Sequence, residues 1–235
     1  MAGNDFFDSY QDFFETSSVG IAPNRLKNRY RALIANNVDI IKNSTVLDLA
    51  SHDGRWSFAC LMNGASRVIG IEGRRDLAKN GEDTMKKYGI SAARYSFIVG
   101  DLFEEIGKVR EKIDVVLCFG IFYHVMNHML LLSSIKQISP RYLLLDSAVS
   151  ASDDPVIELR LENIRDPAAA IKANTSNRAL VGWPSRKALE LMLVDIGYNF
   201  KYYDWANAGI TNWEDIEDYR DGRRVSLVAR NTGPP

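Results

Sequence analysis

Three short apolar runs of the sequence are followed by residues that can bind a small polar molecule. The first run contains Asp48 and leads through small residues to Gly54. The second ends at Glu72, and Asp101 and Leu102 follow the third. A carboxylate at a strand end can accept hydrogen bonds from both hydroxyls of a ribose. Asp101 can accept a hydrogen bond from the amino group of a purine, while Leu102 packs on the purine ring. The pattern therefore favours a nucleoside site.

Residues 50–54 read Ala-Ser-His-Asp-Gly and predict a tight turn that leads into a helix. Small residues let a backbone approach a ligand closely, and the first N–H groups of a helix are free to donate. We expect Ala50 to keep a negative φ, His52 to shape the turn, and Asp48 to orient it. The turn does not follow the Gly-x-Gly-x-x-Gly pattern of dinucleotide sites, so NAD binding is weakly indicated.

Strand-like and helix-like segments alternate at short intervals between residues 45 and 147. Such intervals require crossover connections, which favours an α/β fold with a parallel sheet and helices on both faces. Ligands bind at the carboxyl ends of the strands in sheets of this kind. The predicted strands are 45–50, 67–72, 95–99, 113–119 and 141–147, and the predicted helices are 56–62, 75–88 and 127–138.

The C-terminal third predicts a different arrangement. Pro184 and Gly197 bracket an amphipathic helix at 185–196. Strands at 199–205 and 223–230 follow, joined by a polar loop at 206–222. Two strands without a helix between them indicate an antiparallel pair at the edge of the sheet.

Two regions lie outside this core. Residues 1–43 predict helices with an aromatic face that packs on the core, or that forms a lid or a dimer contact. Residues 148–183 form a long insert rich in Asp, Arg, Asn and Ala, which we interpret as a substrate cover. The sequence therefore predicts a helical cap at 1–43 and a main domain at 44–235.

The turn and the two acids resemble those of class I S-adenosylmethionine-dependent methyltransferases. In the family's Gly-rich turn, Ala50 and His52 replace the first two glycines, and Gly54 remains. The resemblance implies a Rossmann-like, seven-stranded, mostly parallel sheet with an antiparallel last strand, and a methyltransferase domain at 44–235. The matching segments are residues 46–54, Glu72 in Gly-Ile-Glu-Gly, Asp101 in Val-Gly-Asp-Leu-Phe, and residues 114–125.

Residues 119–125 and 182–198 resemble a subgroup that includes the tRNA wobble-uridine carboxymethyltransferases and related small-molecule methyltransferases. The tRNA enzymes carry an additional N-terminal domain that this chain is too short to match fully. The 29 basic and 30 acidic residues also give a net charge of -1, without the basic excess typical of nucleic-acid binding. We therefore expect a small organic acceptor, methylated on oxygen or nitrogen. An RNA-modifying enzyme and a non-catalytic cofactor-binding protein are the alternatives.

The resemblance also implies roles for individual residues. His124 is the leading base, since histidine titrates near neutrality; alternatively it is packed or contacts the cofactor. Tyr123 lines the methyl-transfer site or belongs to the core, and His128 is expected on a helix surface. Arg29 clamps the cofactor carboxylate or an anionic acceptor, or simply faces solvent. The residues expected to contact S-adenosylmethionine are Asp48, Ala50, Ser51, His52, Gly54, Glu72, Gly73, Asp101, Leu102, Phe119 and Arg29.

The composition limits the remaining possibilities. The 235 residues are 46% hydrophobic and 25% charged, as in an ordinary globular domain. The two cysteines lie in apolar runs without metal-ligand spacing, so we expect buried thiols and no metal. The sequence shows neither a secretion signal nor an apolar stretch of about 20 residues. We expect a cytoplasmic protein without a membrane span, and a homodimer is a further expectation.

Overall fold

The computed structural model of the protein describes residues 5–16, 22–166, 169 and 177–233, which contain nine strands and nine α-helices. The strands are β1 Thr45–Leu49, β2 Arg67–Glu72, β3 Tyr95–Val99, β4 Val115–Phe119, β5 Tyr142–Ala148, β6 Ile157–Asn163, β7 Arg178–Pro184, β8 Tyr198–Tyr202 and β9 Arg224–Asn231. The helices are α1 Asp12–Glu15, α2 Pro23–Leu33, α3 Val38–Ile41, α4 Arg55–Met62, α5 Arg75–Lys87, α6 Leu102–Glu105, α7 His128–Gln137, α8 Arg186–Asp195 and α9 Glu217–Arg220.

Seven strands form one sheet in the order β3-β2-β1-β4-β5-β9-β8, and β6 pairs with β7 in a separate hairpin. Strands β1 to β5 run parallel to one another. Strand β9 runs antiparallel to both of its neighbours, β5 and β8. The predicted fold class is therefore confirmed: a Rossmann-like, mostly parallel sheet whose last strand is antiparallel.

Both faces of this sheet are buried. Along β1, Leu47 and Leu49 belong to one apolar cluster, whereas Val46 belongs to the other. Successive side chains of a strand point to opposite faces, so a strand covered on both sides must be apolar on both sides. Asp48 is the polar exception within β1, and it lies next to the carboxyl end of the strand. Polar chemistry is consequently concentrated at that end.

The ring of Phe97 on β3 packs against three glycines. A Cβ atom would lie 2.7 Å from the ring at Gly54, 2.6 Å at Gly70 and 2.9 Å at Gly81. These glycines come from the turn after β1, from β2 and from α5, so the ring holds three elements in close contact. A Cβ at Gly70 would also lie 2.7 Å from Ser51 Oγ, which couples this packing to the turn.

The aromatic N-terminal segment packs on the core, as one of the sequence alternatives predicts. Phe7 and Phe13 are buried, and the Phe7 ring lies edge-on to Trp56 of α4. Thr16 Oγ1 donates a hydrogen bond of 2.8 Å to the Asp53 carboxylate in the turn after β1. Residues 17–21 lie outside the described chain, so a lid function of this region stays a prediction.

The insert at 148–183 contains a hairpin that the sequence analysis did not predict. Strands β6 and β7 pair from Ile157 opposite Pro184 to Asn163 opposite Arg178. Apolar and charged residues alternate along β6, a strand pattern that the polar composition of the insert conceals. Residues 167, 168 and 170–176 of the insert lie outside the described chain. The loop predicted at 206–222 contains the short helix α9.

The expectation that His128 lies on a helix surface is wrong. The residue is buried on α7, and its Nε2 lies 3.0 Å from the carbonyl oxygen of Gly182 on β7. The unpredicted hairpin therefore covers this part of the helix. Burial lowers the pKa of His128, which keeps the imidazole neutral near pH 7.

Replacing Gly70 with alanine should destabilise the fold by about 1–3 kcal/mol, because the added methyl group overlaps Phe97 and Ser51. Urea unfolding followed by circular dichroism measures the free energy of unfolding. Gly107→Ala is the matched control, since a Cβ at that position meets no atom within 4 Å. We expect the control to change stability by at most about 0.5 kcal/mol. Equal stability of the two variants would contradict the packing argument.

Candidate active site

The turn after β1 is held in a left-handed backbone conformation. The φ angles are 53° at Ala50, 55° at His52 and 74° at Gly54. The expectation of a negative φ at Ala50 is therefore wrong, and two non-glycine residues carry backbone strain here. The N–H of Ser51 donates to the carbonyl oxygen of Ile71 at 2.9 Å, which ties the turn to β2. Strain of this kind, held by its surroundings, clusters at ligand sites.

Glu72 is buried at the end of β2 and is bound from two sides. Its Oε2 accepts a hydrogen bond of 2.8 Å from the His52 N–H, and its Oε1 accepts one of 2.9 Å from the Arg74 N–H. The backbone thereby fixes the orientation of the carboxylate. Each carboxylate oxygen carries a second lone pair, which suits the two neighbouring hydroxyls of a ribose.

Two polar groups of the turn, Ser51 Oγ and His52 Nε2, are buried without a hydrogen-bond partner in the described chain. The other ring nitrogen of His52, Nδ1, lies 3.4 Å from Asp53 Oδ1. A buried polar atom without a partner costs free energy, and such atoms mark places that a ligand or water completes. These residues thus fit a polar cofactor bound at the turn.

Asp48 links β1 to the helix that follows the turn. Its carboxylate accepts a hydrogen bond of 2.7 Å from Ser57 Oγ on α4. Burial raises the pKa of Asp48 to about 7, against the opposing effect of that hydrogen bond. A positively charged group bound near the turn would favour the ionised carboxylate. The geometry fits the orienting role that the sequence predicts for Asp48.

Asp53, which the sequence analysis did not single out, is a buried carboxylate of the turn that contacts Arg55, His52 and Thr16. Burial opposes its ionisation, but the Arg55 guanidinium at 2.7 Å and the neighbouring His52 hold the pKa of Asp53 well below its usual range. Asp53 also accepts the hydrogen bond from Thr16, and Arg55 reaches the carbonyl oxygen of Phe13 at 3.4 Å. One buried ion pair therefore joins the N-terminal segment to the turn.

Asp101 begins α6, at the same sheet edge as Glu72. Its Oδ1 accepts a hydrogen bond of 2.8 Å from the Phe103 N–H, and the residue is exposed. Leu102 is partly buried against the apolar cluster, and Gly73 is exposed directly after β2. Because β3 lies next to β2, these residues follow adjacent strand ends, as the sequence predicts.

Aromatic rings surround the carboxyl end of β4. The buried ring of Phe119 lies edge-on to Trp56, with 5.8 Å between ring centroids. The ring of Tyr123 lies 4.1 Å from that of His124 and 5.3 Å from that of Trp183 on β7. The sequence singled out Tyr123 and His124 for this place but missed Trp183, because the hairpin that carries it was not predicted.

His124 is buried in the short 3₁₀ turn Phe122–His124. Its Nδ1 lies 2.6 Å from Oε1 of Glu162 on β6. Within the ranges that the structure describes, no hydrogen bond engages the other ring nitrogen, Nε2. The imidazole therefore has a carboxylate at one nitrogen and an unengaged nitrogen for an acceptor.

Asp146, near the carboxyl end of β5, binds four side chains. Its Oδ1 accepts hydrogen bonds from Arg224 Nε at 2.7 Å and Arg29 Nη2 at 3.1 Å. Its Oδ2 accepts them from the Tyr219 hydroxyl at 2.8 Å and the Ser226 hydroxyl at 2.7 Å. Burial opposes ionisation, but the two guanidinium groups hold the pKa of Asp146 well below its usual range.

Arg29, predicted as an anion clamp, shares Asp146 with Arg224. Its Nε is buried without a hydrogen-bond partner in the described residues. Arg25, on the same helix, instead binds Asp218 through two hydrogen bonds of 2.8 Å and 2.9 Å. Three arginines thus face two carboxylates in this cluster. The surplus positive charge suits an anionic group of a ligand, in agreement with the role expected for Arg29.

Comparison with known proteins identifies the family. A family model for a methyltransferase domain matches residues 40–189, more than half of the chain. The chain belongs to the methyltransferase-domain family. Family and fold together confirm the prediction of a class I S-adenosylmethionine-dependent methyltransferase. The sequence matches none of the curated proteins.

Solved structures share the fold of this methyltransferase at low sequence identity. The N-terminal domain of EvdMO1, in the presence of SAH and D-fucose, gives a TM-score of 0.65 at 17% identity, covering 96% of this chain and 95% of that chain. The DhpI–SAH complex gives 0.62 at 17% identity, covering 97% and 96%. The PH0226 protein from Pyrococcus horikoshii OT3 gives 0.59 at 14% identity, covering 96% and 99%. Identities this low establish the fold alone.

Helix hydropathy and the clustering of potential ligand side chains in the described residues bear on membranes and metals. No helix in these ranges is long and apolar enough to cross a membrane. The same ranges contain no group of three or more His, Cys, Asp or Glu side chains placed to hold a metal ion. Cys60 and Cys118 are buried free thiols.

Replacing Asp146 with asparagine should destabilise the methyltransferase by about 3–5 kcal/mol at pH 7, because Arg29 and Arg224 lose their buried counter-charge. The pKa of Asp146 is lowered by folding, so its contribution is fully present above the unfolded pKa of about 4 and is lost progressively as pH falls from there toward the lower pKa of the folded state. Urea unfolding of both proteins between pH 3 and pH 7 measures this difference.

Asp221→Asn is the matched control for Asp146→Asn. Asp221 also pairs with two arginines, Arg220 and Arg223, but on an exposed surface. We expect this substitution to change stability by at most about 1 kcal/mol. A loss at Asp146 no larger than at Asp221 would show that the buried cluster contributes little to the fold.

Proposed function

We propose that this methyltransferase transfers the methyl group of S-adenosylmethionine to an oxygen or nitrogen atom of a small organic acceptor. One observation carries the proposal: the same sheet edge holds a turn with unpartnered polar atoms and a histidine with an unengaged nitrogen. Glu72 follows β2 and His124 follows β4, with β1 and its turn between them. This order suits a ligand whose nucleoside lies at β2 and whose reactive group lies at β4.

The chain supplies a group for each part of the cofactor. Glu72 would accept the ribose hydroxyls, Asp101 the adenine amino group, and Arg29 the carboxylate. The backbone of residues 50–54 would bind the amino-acid portion. Bound there, S-adenosylmethionine supplies a methyl group that is already activated by positively charged sulfur. The residues proposed to contact it are Asp48, Ala50, Ser51, His52, Gly54, Glu72, Gly73, Asp101, Leu102, Phe119 and Arg29.

The chain's own chemistry is then orientation, proton removal and exclusion of water. His124 takes the proton from the acceptor through Nε2, because Nδ1 already faces Glu162. The Tyr123 ring packs on the imidazole, with 4.1 Å between the two ring centroids. Alignment of the acceptor atom with the methyl group accounts for most of the rate enhancement in such a reaction.

A small acceptor suits the covered edge of the sheet. The N-terminal segment reaches the turn through Thr16 and Asp53, and the insert brings Glu162 and Trp183 to the side of His124. The EvdMO1 domain structure, obtained in the presence of D-fucose, is consistent with a small polar substrate for this fold. The substrate cover at 148–183, the tRNA wobble-uridine subgroup, the homodimer and the cytoplasmic location stay predictions.

Calorimetric titration with S-adenosylhomocysteine and a methyl-transfer assay test the proposed function. Labelled S-adenosylmethionine is offered with a panel of phenols, carboxylic acids and amines, and with tRNA. We expect binding of the homocysteine product and turnover of at least one small acceptor. Failure to bind it would overturn the proposal, and turnover of tRNA alone would overturn the acceptor class.

Replacing Glu72 with alanine should weaken binding of S-adenosylhomocysteine by about 1.5–3 kcal/mol, or roughly 10- to 150-fold, since the ribose loses a charged acceptor. Calorimetry measures the dissociation constant, and urea unfolding shows whether the turn still folds. Glu82→Ala, on the exposed face of α5, is the control and should leave the affinity unchanged. Unchanged affinity in Glu72→Ala would contradict the ribose assignment.

Replacing His124 with glutamine should lower kcat on the order of 10²- to 10⁴-fold, because the acceptor loses its base. The affinity for S-adenosylhomocysteine should stay the same, since His124 is assigned to the acceptor and is not among the proposed cofactor contacts. Steady-state kinetics with an acceptor from the panel and calorimetry measure the two quantities. An equal loss in both would make His124 a binding residue rather than a base.

A further inference from the structure

The hairpin formed by β6 and β7 places a carboxylate against the imidazole of His124. The distance between His124 Nδ1 and Glu162 Oε1 is 2.6 Å, and the two side chains are 6% and 19% exposed. The contact has the length of a charge-assisted hydrogen bond without its full alignment. Catalytic hydrogen bonds are commonly misaligned until a substrate binds. The arrangement is therefore the one expected for a catalytic base, His124, and a carboxylate partner, Glu162.

The pattern of exposure along β6 is unusual, because its charged residues include the less exposed ones and its leucines face solvent. Glu158 and Glu162 are half-buried, whereas Leu159 and Leu161 are 59% and 65% exposed. Across the hairpin, Glu162 stands opposite the buried Ala179 of β7. A strand normally turns its apolar residues inward. Here Glu158 and Glu162 are less exposed than the leucines, which is expected if Glu162 takes part in chemistry.

Gly182 fixes the position of the hairpin relative to His124. Its N–H donates to the carbonyl oxygen of Val125 at 3.1 Å, and its carbonyl oxygen lies 3.0 Å from His128 Nε2. A Cβ at Gly182 would lie only 2.8 Å from the His128 ring, so the approach is as close as the backbone allows. The contacts of Gly182 with Val125 and His128 thus hold the hairpin against the segment after β4, which places Glu162 beside the His124 imidazole.

We infer that Glu162 is a positioning residue that holds His124 as the Nδ1–H tautomer, so that Nε2 is the base toward the acceptor. The inference rests on the proposed function for the role of His124. A neutral imidazole has one donor and one acceptor nitrogen, and the partner of one nitrogen decides which is which. An ionised carboxylate only accepts, so Nδ1 carries the proton and Nε2 is left to take one.

His124 Nε2 takes the proton of the acceptor hydroxyl or amine while the acceptor lone pair forms the new bond to the methyl carbon. The electron pair of the broken S–CH₃ bond stays on sulfur, which becomes a neutral thioether. His124 then carries a proton on both nitrogens, and the Glu162 carboxylate stabilises this imidazolium.

Nitrogen-15 NMR of the full chain tests the inference without an acceptor. The chain has three histidines, so His124→Gln assigns the resonances of His124. At a pH where the imidazoles are neutral, we expect a protonated Nδ1 and an unprotonated Nε2 at His124. His128 provides an internal reference, because its Nε2 faces a carbonyl oxygen and must carry the proton.

Glu162→Met removes the carboxylate that faces His124 Nδ1 and keeps a side chain of similar size. We expect the share of the Nδ1–H tautomer to fall at least twofold, and kcat to fall at least about tenfold with unchanged affinity for S-adenosylhomocysteine. Glu158→Met is the matched control, since Glu158 lies on the same face of β6 and pairs with the exposed Arg160. The control should leave both the tautomer and kcat unchanged.

A wild-type His124 in the Nε2–H form would overturn the inference. A tautomer that stays the same in Glu162→Met would overturn it as well. Failure of the proposed function gives a different result, namely no binding of S-adenosylhomocysteine or no methyl transfer by the wild-type protein. The NMR measurement can therefore fail or succeed independently of the assay for activity.

Discussion

A parallel sheet that is buried on both faces confines polar chemistry to one edge, and the candidate site depends on this constraint. Helices and loops cover both sides of β1, β2, β4 and β5, so their interiors are apolar. The carboxyl ends of these parallel strands lie along the same edge of the sheet. Glu72, His124 and Asp146, which are far apart in the sequence, are therefore found at that edge. Carboxylates collected in a buried place require partners, and backbone N–H groups and arginines provide them.

The positions of Glu72 and Asp101 at this edge could be predicted from the sequence, because the strands that place them are recognisable from neighbouring residues. Strands β1 to β3 are short apolar runs, and Glu72 and Asp101 stand directly at or after the ends of two of them. The Asp146 cluster has no such signal. Asp146 lies near the carboxyl end of β5, but its partners Arg29 and Arg224 come from opposite ends of the chain. Pairings over such separations are set by the topology rather than by neighbouring residues.

The wrong expectations have physical reasons. The alternation of apolar and charged residues along β6 stands in a polar insert whose composition is typical of a loop, so the strand was not predicted. Without the hairpin, His128 has no visible partner in the sequence and reads as a surface residue. The left-handed φ of Ala50 follows from the hydrogen bonds between the turn and β2, which local conformational preference does not anticipate. Glu162 was missed for the same reason as the hairpin that carries it.

The β6–β7 hairpin is inserted between β5 and α8 and takes no part in the seven-stranded sheet. Two of its contacts with the segment after β4 use the backbone of Gly182, and the others use the side chains of Glu162 and Trp183. Because the hairpin contributes no strand to the sheet, none of the backbone pairing of the sheet depends on it. The architecture thus separates a frame, made of the seven-stranded sheet and its turn, from an appended module that reaches this frame at only a few points.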